Sequence, residues 1–322
     1  MVDIFEDAPS LVINYLSYMQ NIKGKSEKTI KEYYYDLRTF FRFIKCKRKL
    51  AQFSDFENVS ISDVDLDLIK SITMDDIYDY MFYVAKDRKN SSHTRARKSS
   101  CIKSFFLFLT TKAKVLDVDP TKELESPKIP KTLPKYLTLE ESMRLLEAVD
   151  GEFKVRDYAI ITLFLNCGLR LSELVGINLS SIKDDRLYIK GKGNKERTIY
   201  LNEACQNAIN EYLKERPHEG VKDKDALFLS KRKSRITTKM VQVIVKKALA
   251  RANLDTTKYS THKLRHTAAT LMYQYGDVDV RTLQKILGHE QLTTTQIYTH
   301  VSDTQIKDAT SKNPLANFKK KD

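Results

Sequence analysis

The sequence predicts a mainly α-helical protein in two parts: an all-α N-terminal domain, then a mixed α+β domain with one small antiparallel sheet. Three observations carry this. Early apolar residues recur at three- and four-residue steps, the period of a helix with one buried face. Four of the seven prolines crowd between Pro120 and Pro134, where proline cannot continue a helix and keeps the chain extended. Two strand-like runs, Leu187 to Lys190 and Arg197 to Leu201, flank Gly191-Lys192-Gly193-Asn194-Lys195, a hairpin signal. The bounds that follow are 1–119 for the first domain, 120–137 for a proline-containing linker and 138–322 for the second. At 322 residues the chain is long enough for two separate cores.

In the first domain a short helix is expected from about Ser10 to Gln20. A long one follows, with Ile30, Tyr33, Tyr34, Leu37, Phe40, Phe41 and Ile44 on one face and Ser26 placed to cap its start. The polar stretch from about Lys47 to Ser71 reads as a loop. Thr73-Met74-Asp75-Asp76 opens a third helix, and a fourth carries Ile102, Phe105, Phe106 and Leu109 inward. The second domain starts at a capping box, Thr138-Leu139-Glu140-Glu141. A buried helix near Asp157 to Leu165 ends at Gly168. After the hairpin, helices are expected over about Glu203 to Arg216, Thr237 to Ala252, Lys263 to Tyr275, Val280 to Leu287 and Thr294 to His300, with a short tail helix over about Asp303 to Phe318.

The net charge is +14, with a pI of about 9.3, which favours an anionic partner, nucleic acid first and acidic membrane surface second. Two basic stretches are candidate DNA faces. From Lys86 to Lys103 there are seven Lys/Arg against one acid, Asp87; Arg95, Arg97, Lys98 and Lys103 are the candidate contacts. From Ala226 to Leu254 there are eight Lys/Arg and no acid, with Lys231, Arg232, Lys233, Arg235 and Lys239 as candidates. A charge run is also what a solvated face looks like. The N-terminal residues lack the basic-then-apolar order of a signal peptide, and no apolar run approaches the ~20 residues of a membrane-spanning helix. Cys46, Cys101, Cys167 and Cys205 are widely spaced and form no C-x-x-C pair, so they read as core residues in a reducing compartment. A cytoplasmic location is expected.

Several residues have the chemistry to act on a phosphodiester without metal. The attacked phosphorus gathers negative charge, and arginine matches two oxygens at once while staying charged. Arg170 stands at a turn in Cys167-Gly168-Leu169-Arg170-Leu171-Ser172-Glu173-Leu174, with Glu173 one helical step on to orient it. Arg265 stands in Thr261-His262-Lys263-Leu264-Arg265-His266, where His262 shares its helix face. Lys192, between two glycines at the hairpin tip, is placed to protonate a sugar alkoxide from the minor groove. Tyr298, in Gln296-Ile297-Tyr298-Thr299-His300, is the candidate nucleophile. With a pKa near 10, only ~0.1% of a tyrosine is phenolate at neutral pH, so it needs a base and a cationic setting. His289, in Leu287-Gly288-His289-Glu290, can donate to the phosphate. Singly, each has a plainer reading: there are 17 tyrosines, most of them for packing, and Arg170 alone is equally a helix cap or an ion pair with Glu173.

Together, and in this order, these segments resemble the catalytic domain of tyrosine recombinases, the phage integrase family, over about Thr138 to Val301. Upstream, Ser26-Glu27-Lys28-Thr29-Ile30 through Asp36-Leu37-Arg38-Thr39-Phe40-Phe41, and Arg95-Ala96-Arg97 through Lys103-Ser104-Phe105-Phe106, resemble the core-binding (SAM-like) domain of the Xer type. The resemblance implies that Arg170 and Arg265 bind the scissile phosphate and Tyr298 attacks it. It implies Lys192 as general acid, His262 as acid/base partner of the tyrosine and His289 as phosphate donor. It further implies a 3′-phosphotyrosine link, a Holliday junction and no cofactor, with a homotetramer on two double-stranded DNA sites joined by exchanged C-terminal tails. Chromosome-dimer resolution, with a septal DNA translocase as partner, is the expected role, because about ten residues before the first helix leave no room for an arm-binding domain. Integration or excision of a mobile element is the alternative. The stretch from about Lys47 to Ser71 is longer than typical of the Xer type.

Three rival readings are weaker. His262 and His266 at i, i+4 mimic a zinc hydrolase helix, but Lys263 stands where that motif needs glutamate. A type IB topoisomerase shares the phosphotyrosine chemistry, and a DNA-binding protein without activity would keep the fold but not this set.

Overall fold

The computed structural model describes residues 5–125, 127, 135–190, 196–276, 278–288 and 295. The chain divides into two compact units, Met1–Lys131 and Thr132–Asp322. No helix among the described residues is long and apolar enough to cross a membrane.

The N-terminal unit is all α: α1 (Ser10–Asn21), α2 (Glu27–Lys47), α3 (Leu66–Lys70), α4 (Met74–Lys86) and α5 (Ser92–Thr111). The expected caps form: Ser26 Oγ accepts from the Thr29 N–H, and Thr73 and Asp76 make a reciprocal capping box on α4. The core is aromatic. Tyr15, Tyr34, Phe40, Phe41, Tyr80, Phe105 and Phe106 are fully buried, and Phe105 meets Tyr15 and Phe41 edge-on at 5.4 and 5.8 Å between ring centres.

Between α2 and α4 the expected loop is a packed segment. It holds the five-residue α3 and buries Phe56, Val59, Ile61, Val64, Ile69 and Ile72. Its backbone is tied to α2, where Arg42 Nε donates to the Val59 carbonyl at 2.7 Å, and Lys45 Nζ to the Ser60 carbonyl at 2.8 Å and Asp63 at 2.6 Å. The irregular spacing of its apolar residues hides this burial from any periodicity. Residues 120–124 of the expected linker also pack on this unit: Thr121 and Leu124 are buried, and Lys103 Nζ holds the Leu124 carbonyl at 2.6 Å.

The C-terminal unit is α+β. It contains α6 (Leu139–Glu147), α7 (Lys154–Cys167), α8 (Leu171–Val175), β1 (Ile182–Lys183), β2 (Arg186–Lys190), β3 (Glu196–Tyr200), α9 (Glu203–Glu215), α10 (Thr238–Arg251), α11 (Thr261–Tyr275) and α12 (Val280–Leu287). The strands form an antiparallel sheet in the order β1-β2-β3, with Leu187 opposite Ile199 and Ile189 opposite Arg197. The capping box at Thr138 and Glu141 is present, and the buried α7 ends where expected, at Gly168. Leu137 enters this unit's core and donates its N–H to Thr267 Oγ1 on α11 at 2.9 Å. The helices expected over Thr294 to His300 and over the tail lie outside the described residues, Thr295 apart.

Candidate active site

The start of α8, the strand β3 and the helix α11 converge on one helix end. Gly168 closes α7 in the left-handed region (φ 60°), and a side chain there would strike Leu287 of α12. Two residues on, Arg170 is the N-cap of α8. Its backbone N–H donates to Glu173 Oε2 at 2.7 Å and its Nη1 to Oε1 at 2.7 Å. The sequence places Arg170 here because glycine ends one helix and the capping carboxylate three residues later starts the next.

α12 ends at Gly288, also left-handed at φ 63°. A helix leaves its last carbonyls without internal partners and carries negative partial charge there. Three guanidinium groups take them. Arg197 Nε donates to the Ile286 carbonyl at 3.2 Å, Arg265 Nη2 to the Leu287 carbonyl at 2.6 Å, and Arg170 Nη2 to the Gly288 carbonyl at 3.0 Å. Arg265, on α11 and almost fully buried, also donates from Nη1 to the Gly168 carbonyl at 2.6 Å. One helix end thus gathers arginines from α8, β3 and α11 whose positions are far apart in the chain.

Glu173 is the counter-ion at the centre. Arg197 grips both its oxygens, at 2.6 and 3.0 Å, and Arg265 Nη1 lies 3.8 Å from Oε2. Burial pushes the carboxyl pKa up, but the Arg197 guanidinium, the Arg170 amide and the Arg170 side chain overcome it and hold it at about 2. Three guanidinium charges against one carboxylate leave the cluster cationic before any substrate arrives, as anion binding requires. His262, one turn from Arg265, keeps a solvent-accessible edge. Partial burial, then the charges of Arg265, Lys263 and Arg170, lowers its pKa, so it is neutral at pH 7 and able to accept a proton. Its ring meets His266 edge-on at 4.6 Å.

Of the six expected catalytic residues, Arg170, His262 and Arg265 are thus brought to one face, while Lys192, His289 and Tyr298 lie outside the described residues. The chain next to two of them reaches the cluster: Arg197, on β3, follows the 191–195 segment that holds Lys192, and Gly288 precedes His289. Arg197 itself was not expected in the site. Strand parity was the available signal, since Arg197 shares a face with Ile199 and Leu201, both buried.

The expected DNA-facing cations divide. Arg97, on α5, is partly exposed while bonded to Asp36 at 2.6 Å, and Arg95 leans on Ser92 Oγ at 3.3 Å. Lys231 is exposed and pairs with Glu152 at 3.1 Å, Lys233 holds the Glu219 carbonyl at 3.0 Å, and Arg232 and Lys239 are exposed. Three others are engaged inside the protein. Lys98 is buried against Asp36 at 3.0 Å, and Lys103 binds the Leu124 carbonyl. Arg235 braces Asp223, Asn178 and the carbonyls of Val175 and Ile177. These three hold structure together, and their charged ends already have partners.

Comparisons with known proteins agree with this architecture. A model of the phage integrase family matches residues 135–305, and one of the phage integrase N-terminal SAM-like domain matches residues 12–113. The tyrosine recombinase XerC of Caldanaerobacter subterraneus subsp. tengcongensis is 59% identical over 309 residues, 96% of this chain and 88% of that protein. The tyrosine recombinase XerD of Halalkalibacterium halodurans is 30% identical over 300 residues, 91% of this chain and 94% of that one. Among solved structures, the XerH site-specific recombinase bound to palindromic difH substrate in a post-cleavage complex matches with a TM-score of 0.67 at 21% identity, covering 94% of each chain. A lambda integrase tetramer bound to a Holliday junction matches with a TM-score of 0.64 at 17% identity, covering 90% of this chain and 76% of that one. At such identities these two structures show a shared fold.

Proposed function

The chain belongs to the phage integrase family of tyrosine recombinases, and from that premise we propose that it exchanges DNA strands at a specific site with Tyr298 as nucleophile and Arg170 and Arg265 as the phosphate-binding pair. The observation that carries this is the cationic cluster around Glu173 and the end of α12. In the proposed step the Tyr298 oxygen attacks the phosphorus and a 3′-phosphotyrosine bond forms as the bond to the 5′ oxygen breaks. Lys192 gives that oxygen its proton, neutral His262 takes the tyrosine's, and His289 donates to the phosphate. One phosphodiester replaces another, so rejoining needs no external energy source.

The 59% identity to a protein named XerC supports an Xer-type role. On this reading four protomers act on two sites through a Holliday junction, exchange their C-terminal tails and resolve chromosome dimers in the cytoplasm, with a septal DNA translocase as activator. Arg95 and Arg97 on α5, and Arg232, Lys233 and Lys239 at and before α10, would face the DNA backbone.

The test is a nicked suicide duplex carrying a site selected from a randomised palindromic pool by binding to this protein. The full chain should trap a covalent complex that survives detergent. Tyr298→Phe should lose the complex and keep its DNA affinity. A Phe variant that still forms the adduct would overturn the assignment.

A further inference from the structure

Arg197 is not one of the groups assigned to the phosphate, yet its side chain grips the carboxylate of Glu173 more fully than that of Arg170 does. Glu173 Oε1 accepts from both Arg170 Nη1 and Arg197 Nη1, and Oε2 from the Arg170 amide and Arg197 Nη2. Arg197 therefore takes both oxygens with its side chain, whereas the Arg170 side chain reaches one and turns its second nitrogen to Gly288. A bidentate fork on a carboxylate is the strongest pairing either arginine can make. If Arg197 were absent, the same fork would be open to Arg170. The fold has made room for Arg197: a side chain at Gly288 would come within 3.0 Å of its Cδ and 3.1 Å of its Nη1.

We propose that Arg197 is a positioning residue for strand cleavage: by forking both oxygens of Glu173 it limits the Arg170 side chain to its one bond with Oε1, keeps the second nitrogen of Arg170 from turning onto the carboxylate, and so holds that guanidinium in the orientation that meets the scissile phosphate. Its second effect is on charge. With Arg197 present the charge of Glu173 is shared between Arg197 and the phosphate-binding pair; without it, the whole of that charge falls on the pair and sets a negative charge beside the substrate's own. The inference rests on the function proposed above.

The experiment measures single-turnover formation of the covalent complex on the selected suicide duplex, with DNA affinity by gel shift and folding by thermal melt. Arg197→Gln should slow cleavage about 10- to 100-fold, as small misplacements of catalytic groups do, while affinity changes less than about threefold. The decisive comparison is Glu173→Gln added to Arg197→Gln. Removing the carboxylate's charge should return part of the lost rate, because nothing is left to draw Arg170 away. A double variant as slow as the single one, or slower, overturns the proposal, since a bracing role alone predicts compounding damage. Wild-type cleavage by Arg197→Gln also overturns it. Should Arg197→Gln not fold, Arg197→Lys keeps the charge and loses the fork, and Glu173→Gln must accelerate it likewise. Arg170→Ala is run in parallel: if it cleaves at the wild-type rate, the proposed function fails, and if it is inactive while Arg197 variants are unaffected, only the role of Arg197 fails.

Discussion

Asp36 in the N-terminal unit and Glu173 in the C-terminal unit are both carboxylates buried among basic side chains, 1% and 5% exposed. Their acidities move in opposite directions. Burial dominates at Asp36 and pushes its pKa up despite Lys98 and Arg97 beside it. Burial also acts at Glu173, but two guanidinium groups and a backbone N–H overcome it. One donor on each oxygen does not offset burial at Asp36; two on each oxygen do at Glu173. Asp36 ties α2 to α5 through two side chains on one element. Glu173 joins α8, β3 and α11, and through their arginines the end of α12.

The contrast can be tested from its strongest consequence downward. Arg265→Ala should cut strand cleavage by about 10²-fold or more, as loss of a donor to a charged transition state does. The equivalent change in the other cluster, Arg97→Ala, should loosen the tie to Asp36 and lower DNA affinity and its salt dependence, while bound DNA is cleaved at close to the parental rate. Equal cleavage losses in the two variants would erase the distinction. Next is Glu173→Gln. Holding a carboxyl at about 2 instead of 4.5 amounts to about 3 kcal/mol, which urea unfolding at neutral pH should report as lost. The sign follows from the direction: a lowered folded value gives stability that is present above about pH 4.5 and lost as pH falls toward 2. The variant should therefore lose the acid limb of the stability profile that the parent shows in that window.

Gly288→Ala should cost about 1–2 kcal/mol, from the left-handed backbone and the approach to Arg197 together. Asp36→Asn should cost less than Glu173→Gln at neutral pH, because its folded value is raised. Such a group's contribution is present below its unfolded pKa and fades as pH rises through the folded one. If Asp36→Asn destabilises as much as Glu173→Gln in the same urea titration, the two carboxylates are alike and the contrast is wrong.

What the sequence made legible follows from how far apart the informative residues lie. Helix faces and caps depend on neighbours three and four positions away, so α2, α4, α5 and α6 were readable down to Ser26, Thr73 and Thr138. The two-residue β1 and five-residue α3 are too short to show a period. Arg170, Glu173, His262 and Arg265 were recognisable from local spacing, but their meeting at the end of α12 depends on contacts across 97 and 118 positions. Lys98 was read with the basic face of α5 although its spacing to Cys101, Ile102 and Phe105 puts it on the buried side. There charge masked a position that periodicity alone assigns correctly.

The knot of carbonyls at the end of α12 has a mechanical consequence. The peptide group at Gly288, from which the following segment departs, hangs on the guanidinium of Arg170. A tug on that segment large enough to shift residue 288 must either snap this bond or drag the arginine along. The placement of residue 288 and the direction of Arg170 are thus coupled through a single oxygen.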